Sequence, residues 1–129
     1  MAISQQFSKK KSTGGKLRRS YKKKQHELGR LPTLTRIGER QSKRIRVAGG
    51  NAKDRLLKEQ IVNAFNPDTK KAEKATMKTV LDNKANRNFI RRNIITKGTL
   101  VDTDKGQVKI TNRPGQEGTI NGVIVQQSK

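Results

Sequence analysis

The chain has 129 residues, and 31 Lys and Arg against 10 Asp and Glu leave a formal charge of +21. Only 29% of the residues are hydrophobic, Trp is absent, and the aromatics are Phe7, Tyr21, Phe65 and Phe89, which argues against an enzyme with a deep apolar pocket. Charge of this density repels the compact state and calls for a polyanionic companion.

Residues 1–42 carry 12 basic and 2 acidic residues, and residues 43–129 carry 19 and 8, so the charge density halves near Ser42. The first segment shows neither helical nor strand periodicity. Its basic clusters, Lys9-Lys10-Lys11, Arg18-Arg19 and Lys22-Lys23-Lys24, are followed by Gly29, Pro32 and Gly38, with Gly14-Gly15 between the first two. Isolated Leu17, Leu28, Leu31, Leu34 and Ile37 cannot gather into a core. Fixing the backbone costs roughly 1–2 kcal/mol per residue, which so little burial does not offset. Residues 1–42 are therefore expected to be an extended basic arm, disordered until a partner orders it.

Residues 43–129 read as a small domain of short strands. Lys43 to Val47 alternates, with Ile45 and Val47 on one face and Arg44 and Arg46 on the other, before the turn Gly49-Gly50-Asn51. A run from Lys53 to Phe65 ends at the turn signal Asn66-Pro67-Asp68, and Lys74 to Leu81 resumes the alternation. Lys84 to Arg92 has a brief helical pattern, with Asn83 placed to cap it. A strand from Ile94 to Thr103, a hairpin turn at Asp104-Lys105-Gly106 and a return over Gln107–Thr111 follow. After the loop opened by Asn112-Arg113-Pro114-Gly115 comes a last strand, Thr119 to Gln126. About six short strands with regular turns predict a mainly β fold, a small antiparallel β-barrel with one short helix. Closure removes exposed strand edges.

Catalytic chemistry has little to work with. The single histidine, His26, sits in the basic segment and reads as a phosphate-contacting, stacking or solvated ring rather than a general base. Asp102 and Asp104 are the one close carboxylate pair, and hard cations want more oxygen ligands than they supply. With no cysteine there is no disulfide, thiolate nucleophile or Cys-based zinc site. Gly14-Gly15-Lys16 and Ala48-Gly49-Gly50-Asn51 match neither a P-loop nor a GxGxxG fingerprint. No cofactor, metal or small-molecule substrate is expected. No window approaches the ~20 apolar residues that span a bilayer, and Met1–Gln6 lacks the pattern of a signal peptide, so a cytosolic or nuclear setting is expected.

Function must then lie with the cations. Lys and Arg bind polynucleotide phosphates partly by releasing condensed counterions. Tyr21, between two basic clusters, either stacks on an unpaired base or packs on a local apolar side chain. Arg44 and Arg46 present two guanidiniums from one strand face, and Arg91 and Arg92 end the short helix. A flexible basic arm on a strand-rich domain suits folded RNA better than sequence-specific duplex reading.

Ordered along the chain are Thr13-Gly14-Gly15, Tyr21-Lys22-Lys23-Lys24, Glu27-Leu28-Gly29-Arg30-Leu31-Pro32 and Thr35-Arg36-Ile37-Gly38. Then come Arg46-Val47-Ala48-Gly49-Gly50-Asn51, Asn93-Ile94-Ile95-Thr96-Lys97-Gly98, Arg113-Pro114-Gly115-Gln116-Glu117-Gly118 and Asn121-Gly122-Val123. This series, from about Lys9 to Val125, resembles the archaeal and eukaryotic small-subunit ribosomal protein eight family, the S-eight-e family. The resemblance implies a structural constituent of the small ribosomal subunit in the cytoplasm, bound to ribosomal RNA beside neighbouring ribosomal proteins. Eukaryotic relatives carry an insertion in the barrel region, for which this chain has no room, so it resembles the archaeal form. Together the basic clusters and the resemblance name Lys9, Lys10, Lys11, Lys16, Arg18, Arg19, Tyr21, Lys22, Lys23, Lys24, Arg30, Arg36 and Arg40 in the arm as rRNA-binding. Arg44, Arg46, Lys53, Arg55, Arg91 and Arg92 complete that set from the domain. Rival readings are a ribosome-biogenesis factor of a related branch and a chromatin-type protein that coats DNA.

Overall fold

A computed structural model describes residues 8–18, 22 and 24–127, and the chain divides into two compact units, 1–32 and 33–129. In the first unit, Lys10 and Lys16 face each other across an antiparallel bridge closed by hydrogen bonds from Lys11 N to Gly15 O and from Leu17 N to Lys9 O. A 3-10 turn covers Gln25–Glu27. Arg19, Tyr21 and Lys23, named above, lie outside the described residues.

Among the described residues, the second unit holds seven strands, one short α-helix and a 3-10 turn over Ala48–Gly50. Strand β1 (Gln41–Arg46) pairs antiparallel with β2 (Ala52–Lys58) as a two-stranded ribbon. Strands β3 (Ile61–Asn66), β4 (Lys71–Asp82), β5 (Leu100–Thr103), β6 (Gly106–Ile110) and β7 (Asn121–Gln127) close into a barrel in that order. The fold is mainly β with a small barrel, as expected, and differs in two respects. Two of the strands stand apart as the ribbon, leaving five in the barrel rather than about six. Nor is the barrel wholly antiparallel: β3 and β7 run parallel while the other four pairs are antiparallel. The reason is parity, since an odd number of strands cannot alternate direction all the way round a closed ring.

The run Lys53–Phe65 is two strands, because the chain turns at Glu59. Glu59 is buried, and its Oε1 accepts the backbone N–H groups of Gln60 (3.2 Å) and Ile61 (3.3 Å), bending the chain from ribbon to barrel. Ile94–Thr103 is a strand only from Leu100, because Thr96 N donates to Thr99 Oγ1 and Gly98 takes φ 86°. The helix α1 shrinks to Asn88–Arg91. Asn83 does not cap it: its buried amide donates to Ile94 O, and its Oδ1 accepts from Ala85 N and Thr96 Oγ1.

Alternation decides what the barrel encloses. Val62, Ala64, Ala75, Met77, Val80, Val101, Val108, Ile110 and Ile124 point inward, with Leu56, Ile95 and Ile120 in the same core. The bore is narrow. A Cβ built on Gly122 in β7 would lie 2.4 Å from Val108 Cγ1 and 2.9 Å from Lys109 O, so only glycine lets β6 and β7 approach this closely. The strip before β1 also joins this unit. Thr35, 2% exposed, donates from Oγ1 to Leu56 O, Ile95 N donates to Thr35 O, and Arg36 bridges to Lys58 and Ile94.

Candidate nucleic-acid interface

The ribbon presents cations on both of its faces. Residues 41–58 contain Lys43, Arg44, Arg46, Lys53, Arg55 and Lys58 against Asp54 in its strands. The register sets Lys43 opposite Arg55 and Ile45 opposite Lys53 on one face. Arg44 stands opposite Asp54, and Arg46 opposite Ala52, on the other. Arg44 and Arg46 therefore share a face, and both are exposed. Their spacing along one strand side suits two guanidiniums on successive phosphates of a backbone.

The ribbon tip is compact and fully exposed. Gly49 and Gly50 take φ 72° and 75°, backbone that L side chains rarely adopt, and Val47 N donates to Asn51 O. Two strands alone are marginally stable in water, and here the loop 113–118 braces the ribbon. Leu56 N donates to Pro114 O (3.1 Å), Arg55 Nε to Gly115 O (3.1 Å), Lys53 Nζ to Gln116 Oε1 (3.5 Å) and Arg40 Nη2 to Gly118 O (3.3 Å). Arg40 also pairs with the buried Glu59, Nε to Oε2 at 3.7 Å. Arg40 and Arg55 thus hold the ribbon in place as well as charging it.

The remaining named cations lie on other elements of the chain. Lys9, Lys10, Lys11, Lys16 and Arg18 are exposed on and beside the hairpin of the first unit, and Lys22, Lys24 and Arg30 are exposed further along it. Arg36 is exposed where the strip before β1 bridges two segments. Arg91 ends α1 and Arg92 is its C-cap. Arg87, which sequence reading passed over, joins Arg91, Asn88 and Ile90 around an open surface hollow. Also passed over were Lys74 and Lys109, on the outside of the barrel, whose direction depends on strand parity.

Two acidic groups tie neighbouring strands together. Asp104 Oδ1 accepts from Thr76 N, and its own N donates to Thr76 O, which ties the β5–β6 turn to β4. Glu73 pairs with Lys105, whose hydrogen bond and positive charge, aided by Lys71, hold the Glu73 carboxyl below its usual range. Among the described residues, no group of three or more His, Asp or Glu is placed to hold a metal ion. No helix among them is long and apolar enough to cross a membrane.

The sequence model of one family, described as Ribosomal protein S8e, matches residues 4–125. The chain belongs to this family. It is 54% identical over 108 residues to the small ribosomal subunit protein eS8 of Nanoarchaeum equitans, covering 84% of this chain and 85% of that one. With the protein of the same name from Picrophilus torridus it shares 44% identity over 125 residues, 97% of this chain and 100% of the relative. The Methanocella arvoryzae protein of that name is 48% identical over 118 residues, 92% and 94% of the two chains. The span matched to the S8e family takes in most of the first unit, the ribbon and the loop that braces it.

Proposed function

We propose that the protein is a structural, non-catalytic constituent of the small ribosomal subunit, working in the cytoplasm as part of the ribosome. The observation that carries this reading is the family match over residues 4–125. The charge of +21 supports it, because ribosomal RNA is the polyanion such a constituent meets. Partners are small-subunit ribosomal RNA and neighbouring ribosomal proteins.

In this proposal the RNA contacts are made by Lys9, Lys10, Lys11, Lys16, Arg18, Arg19, Tyr21, Lys22, Lys23, Lys24, Arg30, Arg36 and Arg40 of the arm. Arg44, Arg46, Lys53 and Arg55 of the ribbon join them, with Arg91 and Arg92. Of the arm proposed over 1–42, the residues before Thr33 order as RNA binds, while the strip after them is already bonded to the domain over 43–129 that folds around its barrel; part of the binding energy is spent on that ordering. Exposed cations on both ribbon faces support insertion between two RNA segments rather than attachment to one.

Gradient fractionation of a lysate tests the reading. Stoichiometric comigration with small subunits and polysomes at moderate and high salt is expected. Presence only in immature particles points to an assembly factor, and sedimentation with DNA to a chromatin protein; either result overturns the proposal. A chain lacking residues 1–32, the first compact unit, should lose most of its incorporation into subunits, and undiminished incorporation refutes the role given to the arm.

A further inference from the structure

The outer face of the barrel at its parallel seam carries an exposed aromatic ring. Across β6, β7, β3 and β4 the register aligns Lys109, Val123, Phe65 and Ala72 in one outward row. The next row holds Asn121, Asn63 and Lys74. Phe65 is 41% exposed although its neighbour Ala64 is fully buried, because the alternation of β3 sends residue 65 outward. Its cross-strand partner on β4 is the small, exposed Ala72, which leaves the ring open on that side.

Polar groups complete the surface. Asn63 Nδ2 donates to Asn121 Oδ1 at 3.0 Å. Asn63 Oδ1 and Asn121 Nδ2, an acceptor and a donor side by side, take no hydrogen bond among the described residues. Lys74 stands diagonal to Phe65, about 7–8 Å away between Cα atoms. Lys109 lies two strands away, about 10 Å. Neither row contains a carboxylate. An exposed ring, an amide pair and two flanking cations are what a single-stranded nucleotide needs: a stacking plane, an edge to pair with and charge for its phosphates.

We propose that this face is a second RNA site, at which an unpaired base stacks on Phe65, its edge meets Asn63 and Asn121, and Lys74 and Lys109 neutralise the adjoining phosphates. The proposal rests on the ribosomal reading above and adds a contact distinct from the arm and ribbon. A protein partner would share the apolar ring and Val125 beside it, but two lysines with no carboxylate favour the polyanion.

Ultraviolet irradiation of intact small subunits containing the full chain, followed by tryptic mapping, tests this. Phe65 falls in the tryptic peptide 59–70, and a nucleotide adduct on Phe65 is expected there. Phe65→Leu keeps an apolar outward residue but removes the π face. It should weaken binding of the full chain to deproteinised small-subunit RNA by about 5- to 150-fold. Phe65→Trp should bind as the wild type does, with folding of both variants checked by far-UV circular dichroism. Adducts confined to other peptides, or unchanged RNA binding by Phe65→Leu, overturn the site while leaving the ribosomal reading intact. Unchanged RNA affinity with lost subunit incorporation assigns the face to a protein partner and also overturns it. Absence of the chain from small subunits overturns both readings.

Discussion

Placing a methyl group at residue 122 should test how tightly the barrel closes. Gly122 pairs with Ala64 on one side and Ile110 on the other, with its missing side chain directed into the bore. In Gly122→Ala the new Cβ would meet Val108 Cγ1 at 2.4 Å and Lys109 O at 2.9 Å. Carbon atoms settle at about 3.5–4.0 Å, so the overlap with Val108 exceeds 1 Å by a rough count. The valine can rotate away, but the Lys109 carbonyl belongs to the β6 backbone and cannot move without β6. Overpacking of this kind costs about 1–3 kcal/mol, and the reduced freedom of the unfolded chain returns about 0.4–1 of it. Each lost kcal/mol lowers Tm by about 4–8 °C in a domain of this size. Val108→Ala alone should cost about 1.6 kcal/mol for its two lost carbons, plus a cavity term. The double variant should cost at least about 1 kcal/mol less than the sum, since the deleted atoms are those the new methyl strikes. Denaturant unfolding followed by far-UV circular dichroism reads all three. Wild-type stability in Gly122→Ala, or strict additivity in the double variant, refutes the reasoning.

Arg44→Gln with Arg46→Gln should weaken RNA binding almost independently of sequence and reduce the slope of log affinity against log salt by about one per arginine; titrations at several salt concentrations measure it. Glu59→Ala strips the acceptor from the N–H groups of Gln60 and Ile61 and should destabilise the fold by about 1–3 kcal/mol, whereas Glu59→Gln, which keeps an oxygen, should cost less in the same unfolding assay. Glu73 titrates below its usual range because Lys105 hydrogen-bonds and attracts its carboxylate. A depressed carboxyl adds stability that is present above its unfolded value and is lost as pH falls through the lowered folded one. Stability measured against pH should therefore fall less steeply across that acid window in Glu73→Gln. The difference should shrink in high salt, because the pair is exposed.

Much of the architecture was legible because it rests on short-range chemistry. The alternation of Ile45 and Val47 with Arg44 and Arg46 reads directly as a strand with a charged face, and the turn at Asp104-Lys105 follows from its residues. The misread stretches share a cause, a polar side chain acting at close range inside the fold. Glu59 looks like one more charge in a hydrophobic run until its burial shows it turning the chain. Asn83 looks like a helix cap and is a buried amide joining the segments around Ile94 and Thr96. Phe65 and Lys74 were overlooked as a pair because a run treated as one strand from Lys53 to Phe65 leaves their shared direction undefined.

Composition alone fixed a charge of +21 on 129 residues, which no fold can remove and which suits a polyanionic partner. Local alternation determined that its domain is built of strands. Only the tertiary structure decided that the ring closes on five strands with a parallel seam, because closure joins β3 to β7 across more than fifty residues of chain. It also decided what the arginines meet and on which ribbon face they stand. Arg40 and Arg55 meet the carbonyls of Gly118 and Gly115, while the register puts Arg44 and Arg46 on the ribbon face away from Arg55. The physical reason is range: charge and periodicity are properties of neighbours in sequence, whereas partners and facing directions depend on segments that meet only when the chain folds.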